Sequence, residues 1–253
     1  MRFASLGSGS RGNATLLDAG DTRLLIDCGY SLREFERRIE ATGLQPADLD
    51  AILVTHEHGD HVRGVGALAR RHGISVWATS GTWRAATLGE VPDVHLFSAH
   101  GGSFRIGSVR VQPYAVPHDA REPAQYVLEH DERRLGLLTD SGSPTPHIIE
   151  NLQGVDALIL ESNHDLDMLA NGPYPQALQE RVGGDLGHLS NAQAASLLGR
   201  LDHGRLHHLV AAHLSEKNNH PDLARAALCS VSESLAQRLS LLAQDHVSRW
   251  FDV

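Results

Sequence analysis

The sequence is poor in the residues that stabilise small secreted domains and iron–sulfur proteins. Its 253 residues include two cysteines, Cys28 and Cys229, which are too few for a disulfide framework, a four-cysteine zinc site or an iron–sulfur cluster. No run of about 18 apolar residues is present to cross a membrane, and the first residues, MRFASLGSGSRGN, contain no apolar segment of a secretory signal. We therefore expect a cytoplasmic protein that has no membrane partner.

Positive charge is scarce, whereas histidine is abundant. The 22 lysine and arginine residues are outnumbered by 31 aspartate and glutamate residues, and Lys217 is the single lysine. The resulting net charge of −9 is unfavourable for a protein that coats nucleic acid by charge alone. The 17 histidines, many of them inside polar motifs, indicate metal binding rather than core packing.

Hydrophobic periodicity predicts two blocks of strands, each flanked by helices. No repeat or flexible linker divides the chain, so we expect one domain over residues 1–253. Two sheets packed face to face with helices outside fit this order, and a doubly wound α/β sheet is the alternative. The glycine- and proline-rich stretch before residue 190 is predicted to be mobile. Strands are predicted at 2–6, 14–18, 22–27, 51–54, 75–79, 95–97, 108–116, 124–129, 134–139, 157–161, 206–212 and near the end, and helices at 31–41, 62–71, 145–152, 191–201 and 222–238.

A dense cluster of metal-ligand residues, THEHGDH, stands where the strand at 51–54 ends. His56, His58, Asp60 and His61 lie within six residues, and alternate positions of an extended segment project to the same side. Gly59 permits a tight turn there, and imidazole and carboxylate are ligands of divalent metals such as zinc. These four residues are too many for one catalytic metal that keeps an open position, so we expect two adjacent metals.

Three further candidate ligands follow predicted strands elsewhere in the chain. His118 occurs in VPHD, Asp140 in LLTDSG and His213 in VAAHLS. Each residue alone is more typical of a turn or a local hydrogen bond. Together with the cluster they predict a dinuclear site at one edge of the sheets.

With these residues in view, the sequence resembles the metallo-β-lactamase fold superfamily. THEHGDH matches the HxHxDH motif of that superfamily, and a later His, Asp and His follow in the expected order. The segments SLGSGSRGNATLL, LLIDCG, ESNHD, GHLSN and AHLSEKNN are similar to the YycJ/WalJ-like subgroup, a relative of nucleases such as ribonuclease Z and ribonuclease J. The resemblance covers nearly the whole chain and implies an α/β (α+β) four-layer αββα sandwich with metals at one sheet edge.

The resemblance also implies a ligand set and a chemistry. Two divalent ions, Zn²⁺ or Mn²⁺, are expected, and a hydroxide between them would attack a phosphodiester. The expected activity is a 5′→3′ exodeoxyribonuclease acting on nucleic acid, with DNA favoured over RNA. A metal-dependent thioester or lactone hydrolase and a non-enzymatic regulatory metal-binding protein remain alternatives. One ion would be held by His56, His58 and His118 and the other by Asp60, His61 and His213, with Asp140 bridging.

Polar residues outside the ligand set are candidates for catalysis and substrate binding. Asp60 and Asp140 are expected to orient the nucleophile. His188, similar to a phosphate-holding histidine of related nucleases, and His164 are candidate proton donors. Asp27 is expected to orient a ligand imidazole, although a turn acid is the alternative. Candidate substrate contacts are Asn163, Ser190, Asn191 and Lys217, and Thr55 is placed behind the ligands with Asp27.

An apparent dinucleotide-binding pattern, GxGxxG, is formed by Gly7, Gly9 and Gly12. That fingerprint requires a helix to begin at the third glycine. The residues that follow, NATLLDAGDTRLLIDCG, predict a hairpin instead, so nucleotide binding is rejected. Family resemblance places this loop near the active site, where its N–H groups are candidates to contact an anionic substrate.

Overall fold

A computed structural model describes all 253 residues, and the strands form two mixed sheets of seven strands each. The first sheet has the order β14-β1-β2-β3-β4-β5-β6, and the second has the order β13-β12-β11-β10-β9-β8-β7. The first contains β1 (Arg2–Gly7), β2 (Ala14–Asp18), β3 (Arg23–Ile26), β4 (Ala51–Leu53), β5 (Ser75–Thr79), β6 (Val94–Phe97) and β14 (Phe251–Asp252). The second contains β7 (Phe104–Ile106), β8 (Val109–Ala115), β9 (Ala124–His130), β10 (Arg133–Leu138), β11 (Ala157–Glu161), β12 (His208–Ala212) and β13 (Leu239–Leu241).

Short helices connect the strands and cover the outer faces. They are α1 (Leu32–Glu40), α2 (Gly59–Val62), α3 (Val65–His72), α4 (Ser80–Ala85), α5 (Pro146–Leu152), α6 (Leu166–Asn171), α7 (Gln176–Val182), α8 (Asn191–Leu198), α9 (Pro221–Cys229) and α10 (Glu233–Ala236), with a 3-10 turn at Pro46–Asp48. None of these helices combines the length and the apolar character needed to cross a membrane.

Buried side chains form three layers, as alternation along the strands requires. Leu24 and Ile26 of β3 belong to a cluster that also contains Tyr126 and Ile159 of the second sheet, so this cluster lies between the sheets. Leu25 points the other way and joins the cluster that α1 and α3 cover. A third cluster joins the outer face of the second sheet to α5, α8 and α9. The αββα sandwich is confirmed, the doubly wound alternative is wrong, and the shared central core supports our proposal of one domain.

The predicted helix at 62–71 is wrong in one respect, because the structure has two helices, α2 and α3, with a break at Gly64. The amide of Gly64 donates to the carbonyl of Cys28 at 2.8 Å. The carbonyl of Asp60, its expected helical partner, accepts from the amide of Asn13 at 2.8 Å instead. The helix therefore breaks because two neighbouring loops have taken the hydrogen-bonding groups that would continue it.

Other differences lie in short or serine-rich segments. The stretch predicted to be mobile contains α6, which Asp165 caps through the amides of Asp167 and Met168, and α7. The helix predicted at 222–238 is two helices, because Ser230 and the extended Ser232 interrupt it with the local side-chain bonds that serine favours. The short elements β7 and α4 have no counterpart in the sequence prediction.

The strand directions bring the carboxyl ends of several strands to one edge. Strands β10, β11 and β12 are parallel to one another, and β8 runs the same way because β9 is antiparallel to both β8 and β10. Strand β4 is parallel to its neighbours β3 and β5. The residues that follow β4, β8, β10 and β12 are those predicted as metal ligands.

Candidate metal centre

The first group of candidate ligands is a cluster of three imidazoles from two segments. His56 and His58 follow β4, and His118 follows β8. Their ring centroids lie 4.6 to 5.0 Å apart, and the Nε2 atom of His118 lies 3.2 Å from the Nδ1 atom of His58. The Nε2 atom of His56 is buried without a hydrogen-bond partner. Three converging nitrogens with one orphaned and buried fit a divalent metal.

The second group combines two carboxylates with two imidazoles. Asp60 and His61 lie in α2, whereas Asp140 and His213 follow β10 and β12. The Nε2 atom of His61 lies 3.2 Å from Oδ2 of Asp140 and 3.6 Å from Oδ2 of Asp60. The Nε2 atom of His213 lies 3.7 Å from the same oxygen of Asp60. Oδ2 of Asp140 is buried without a hydrogen-bond partner, so this group also fits a metal.

Each imidazole of the two groups except His58 has its other nitrogen held by the protein. Thr55 Oγ1 lies 3.0 Å from Nδ1 of His56, and Asp27 Oδ2 lies 2.8 Å from Nδ1 of His61. Asp27 itself accepts from the amide and the hydroxyl of Thr55 at 2.8 and 2.7 Å. The carbonyl of Gly187 lies 3.0 Å from Nδ1 of His118. Such contacts fix the orientation and tautomer of ligand histidines, and the placement agrees with the positions predicted for Asp27 and Thr55.

Glu161, at the end of β11, holds the remaining imidazoles and was not predicted. Its Oε1 atom lies 2.9 Å from Nδ1 of His188 and 3.1 Å from Nδ1 of His213. Its Oε2 atom accepts from the amides of Ser141 and Leu189, both at 3.0 Å. These four contacts occupy the acceptor capacity of the carboxylate. We therefore expect Glu161 to position histidines rather than bind an ion, and its place at a strand end was the available sequence signal.

The charges of the site are strongly coupled. Burial lowers the pKa of His61, but the charges of Asp140, Asp27 and Asp60 outweigh burial and raise that pKa well above its usual value. Burial also lowers the pKa of His213, but the charges and hydrogen bonds of Asp140 and Glu161 outweigh burial and raise that pKa to about 10. Burial and the charge of His61 lower the pKa of His56. Protons on two imidazoles thus balance the buried carboxylates, and a bound divalent cation would replace them.

Glu161 raises the pKa of His188 as it raises that of His213. Burial lowers the pKa of His188, but the charge and hydrogen bond of Glu161 outweigh burial and raise it. Burial raises the pKa of Glu161 in turn, and the charge of His188 outweighs this effect and lowers it to about 2.

Three residues of the site have backbone conformations that L-residues rarely adopt. Asp27, Asp140 and His213 have φ angles of 61°, 51° and 53°. Asp27 and His213 directly follow β3 and β12, and Asp140 comes two residues after the last residue of β10. Such conformations are costly and persist where the surrounding structure imposes them. Gly59 differs from our expectation, because its backbone is not left-handed and a Cβ there would meet nothing within 4 Å.

A cleft of about 350 Å³ opens beside the two ligand groups. Of the predicted site residues it is lined by His58, Asp60, Asp140, Asn163, His188 and His213. The Nδ2 atom of Asn163 donates to the carbonyl of His213 at 2.8 Å.

Four residues predicted for catalysis or substrate contact, His164, Ser190, Asn191 and Lys217, do not line this cleft. His164 is fully buried, both of its ring nitrogens lack partners, and burial lowers its pKa to about 4. Ser190 is the N-cap of α8, and Asn191 is buried in bonds with Ser162 and Asn219. The structure therefore does not favour direct substrate contact by His164, Ser190 or Asn191.

Lys217 lies one side chain away from the cleft. It is exposed and does not line the cleft, and its Nζ atom lies 5.6 Å from the ring centroid of Tyr174, which does. Tyr174, Asp119 and Arg181 also line the cleft and were not predicted from the sequence. Oδ1 of Asp119 lies 3.6 Å from Nε2 of His118, and its Oδ2 pairs with Nε of Arg181 at 2.5 Å. The position of Asp119 directly after a ligand was a usable signal, whereas nothing in the sequence marked Arg181.

The glycine-rich loop lies against the site, and several of its amides are bonded within the protein. The amides of Gly9 and Arg11 donate to the side chains of Asn13 and Gln244, and that of Asn13 donates to the carbonyl of Asp60. Ser10 of the same loop lines the cleft, so contact between a loop amide and an anion stays a prediction. The loop also contributes a side chain, because Nδ2 of Asn13 lies 3.1 Å from Nε2 of His61.

Comparison with known proteins agrees with this geometry. A family model described as "Beta-lactamase superfamily domain" matches residues 22–213. The chain is 36% identical over 236 residues to exodeoxyribonuclease YycJ of Bacillus anthracis, covering 92% of this chain and 89% of that protein. It is 35% identical over 234 residues to exodeoxyribonuclease WalJ of Streptococcus pneumoniae serotype 2, covering 90% and 87%.

Solved structures show the same fold at low sequence identity. The metallo-β-lactamase fold protein YhfI from Bacillus subtilis superposes with a TM-score of 0.76 at 16% identity, covering 98% of each chain. Zn²⁺-bound PqqB from Methylobacterium extorquens superposes with a TM-score of 0.75 at 17% identity, covering 100% of each chain. The chain therefore belongs to the β-lactamase superfamily, with the metallo-β-lactamase fold, and within it to the group of YycJ and WalJ.

Proposed function

We propose that this chain is a metal-dependent phosphodiesterase, and specifically an exonuclease that removes nucleotides from DNA in the 5′→3′ direction. The observation that carries the proposal is the pair of adjoining ligand groups at one sheet edge, open to a cleft. The phosphodiester preference is supported by the two exodeoxyribonucleases that are 35 to 36% identical over about nine-tenths of the chain. The cytoplasmic location expected from the sequence stays a prediction.

Two divalent ions, Zn²⁺ or Mn²⁺, are proposed for the site. His56, His58 and His118 would hold one and Asp60, His61 and His213 the other. Asp140 would bridge, as the family resemblance implies: its carboxylate lies 3.2 and 3.1 Å from His61 and His213 of the second group, and its charge also acts on the pKa of His56 and His118 in the first. When bound, such ions supply Lewis acidity that lowers the pKa of water and neutralises charge on phosphate oxygens.

The side chains around the ligand groups have separate proposed roles in hydrolysis. Asp60 and Asp140 would orient the attacking water, because both carboxylates line the cleft. His188 would donate a proton to the leaving oxygen from its Nε2 atom, because Glu161 holds the Nδ1 atom on the other side of the ring. Asn163 would contact the substrate, and His164 is no longer proposed as a proton donor because it is buried away from the cleft.

The proposal is tested with purified protein supplied with Mn²⁺ or Zn²⁺. The substrates are single- and double-stranded DNA labelled at the 3′ end, so that shortened strands keep the label, together with RNA, a chromogenic phosphodiester, a thioester and a lactone. We expect stepwise shortening of DNA, lost in His58→Ala and kept in His246→Ala, a control histidine that is exposed. Turnover of the thioester or lactone without any phosphodiester would make the chain a carboxylic ester hydrolase. No turnover of any substrate by metal-loaded protein would favour the regulatory alternative.

A further inference from the structure

One wall of the cleft is a helix that the core does not hold. None of the residues of α7 is buried, although helices of globular proteins usually bury one face. Leu178 and Val182, four residues apart, lie on the same face of α7. Tyr174 lies four residues before Leu178, just ahead of the helix. These three side chains line the cleft and are the only apolar residues that do so.

Polar contacts at the C-terminal end of α7 fix it beside the site. The amide of His188 donates to the carbonyl of Val182 at 2.8 Å, and Arg181 pairs with Asp119. Nε2 of Gln179 donates to the carbonyl of Tyr174 at 3.1 Å and so joins Tyr174 to the helix. The helix is therefore held in place without burying its apolar side, and that side remains available to a molecule that enters the cleft.

The chemistry of the cleft restricts what that molecule is. Its lining combines residues of the ligand groups and His188, which suit a phosphate, with the phenol ring of Tyr174 and two aliphatic side chains. A nucleotide has both features, an anionic phosphate and a base with an apolar π-face. The volume of about 350 Å³ is in the range of small-ligand sites and does not fit a second protein chain.

We propose that Tyr174, Leu178 and Val182 form a subsite for the base of the terminal nucleotide, with the base stacked on the Tyr174 ring. This inference rests on the nuclease activity proposed above and names the part of the substrate that α7 recognises. The ammonium group of Lys217 lies outside the cleft near the Tyr174 ring, and this cation–π contact helps to fix the ring in position for stacking. The contact is with a π-face that every base shares, so the subsite requires a base without selecting its identity.

The test compares three oligonucleotides of the same length: unmodified, abasic at the 5′-terminal residue, and abasic at the 3′-terminal residue. The wild-type protein with bound metal should lose about 5- to 100-fold in kcat/KM when the base is missing at the end it digests. Tyr174→Ala should lose a similar factor on the unmodified strand and nothing further on the abasic strand. Tyr174→Phe should keep the wild-type preference, because it keeps the ring.

Leu166→Ala serves as the matched control for removing an apolar side chain, because Leu166 is 57% exposed and lies outside the cleft. It should behave as the wild type. Equal rates of the wild type on all three strands would overturn the subsite while leaving the nuclease activity intact. Equal losses of Tyr174→Ala on the unmodified and abasic strands would also overturn it, because the ring would then have a structural role. No digestion of any strand would overturn both proposals.

Discussion

The Nδ1 atom of His61 lies 2.8 Å from Oδ2 of Asp27, and this contact leaves the Nε2 atom of His61 facing Asp140 and Asp60. The same carboxylate of Asp27 accepts from the hydroxyl of Thr55, which in turn lies 3.0 Å from His56. One buried acid thus orients an imidazole in each of the two ligand groups. The two groups are therefore coupled through the protein as well as through their shared edge.

Replacing Asp27 by Asn should weaken metal binding while the fold remains. Asn keeps the size of the side chain but removes the negative charge that holds His61, and loss of such contacts lowers metal affinity by about 10- to 100-fold. The affinity is measured by Zn²⁺ titration against a competing chelator. Asp131→Asn is the matched control, because Asp131 also has a left-handed backbone, with φ of 49°, but lies in an exposed turn. Unchanged affinity in Asp27→Asn would contradict the role given to Asp27.

Removing metal should lower thermal stability as well as activity. The carboxylate of Asp140 and most imidazoles of the ligand groups are buried, and the folded chain alone brings them close enough to bind a cation together, so a bound ion stabilises the folded state and not the unfolded one. An ion present at about 100 times its Kd adds about 2.7 kcal/mol to the free energy of unfolding. Calorimetry of chelated and reloaded protein measures this difference. Asp140→Ala should lose most of the response to added metal, and an unchanged Tm on reloading the wild type would count against a metal site.

Replacing His188 and replacing Glu161 should have different effects on kcat and on metal content. His188→Ala should reduce kcat by about 10²- to 10⁴-fold, the usual contribution of a general acid, with metal content unchanged. Glu161→Gln should reduce both kcat and metal content, because Glu161 holds His213 as well as His188. Single-turnover rates and elemental analysis of the two variants make the comparison. Loss of metal in His188→Ala would show that His188 belongs to the ligand set instead.

The ligand positions could be predicted from the sequence because they depend on local order. His56, His58, Asp60 and His61 are adjacent in the chain, and His118, Asp140 and His213 each follow an apolar strand whose end is readable. The structure places all seven within the two ligand groups. Within one sheet the carboxyl ends of parallel strands meet at one edge, but β4 belongs to the first sheet and β8, β10 and β12 to the second. The groups therefore come together only because the two sheets pack face to face with these edges side by side.

The parts that could not be predicted depend on contacts between distant segments. The break at Gly64 requires loops around residues 13 and 28 to capture two backbone groups, which periodicity does not encode. Arg181 and Tyr174 belong to a stretch whose glycines and prolines indicate no regular structure, and they reach the cleft because α7 is tied to Asp119. His164 and Asn191 have polar side chains beside a motif, but they are buried because the segment after β11 pairs with the start of α8, through the bridge between His164 and Ser190.

Gly29→Ala should disturb the segment that carries Asp60 and His61, although Gly29 lies outside that segment. A Cβ at Gly29 would lie 1.7 Å from the carbonyl oxygen of Asp60, so the backbone of α2 must shift. We expect a loss of about 1 to 3 kcal/mol in the free energy of unfolding, the usual result of overpacking, together with weaker metal binding. Urea unfolding measures the first effect. Gly59→Ala, in the same motif but with open space around it, should be neutral or stabilising; equal losses in the two variants would refute the steric explanation.

Glu34, which lies far from the candidate metal ligands, should make the free energy of unfolding depend on pH. Its hydrogen bond with Arg37, helped by Arg38 and opposed by partial burial, lowers the pKa of Glu34 from its ordinary value of 4.5 to about 2. A carboxyl whose pKa is lower in the folded state stabilises the fold above about pH 4.5, and this contribution is lost as the pH falls towards 2. Because the side chains of Glu34 and Arg37 are 34% and 64% exposed, we expect only about 0.2 to 1 kcal/mol.

Glu34→Gln should therefore lower the free energy of unfolding at pH 7 and match the wild type near pH 2. Chemical denaturation of metal-free protein at several pH values measures the difference without interference from the site. Glu40→Gln is the control, because Glu40 is exposed at the other end of α1, and its removal should cost nothing at either pH. A difference between Glu34→Gln and the wild type that persisted unchanged at the lower pH would mean that packing of the side chain, rather than its charge, stabilises α1 against β1.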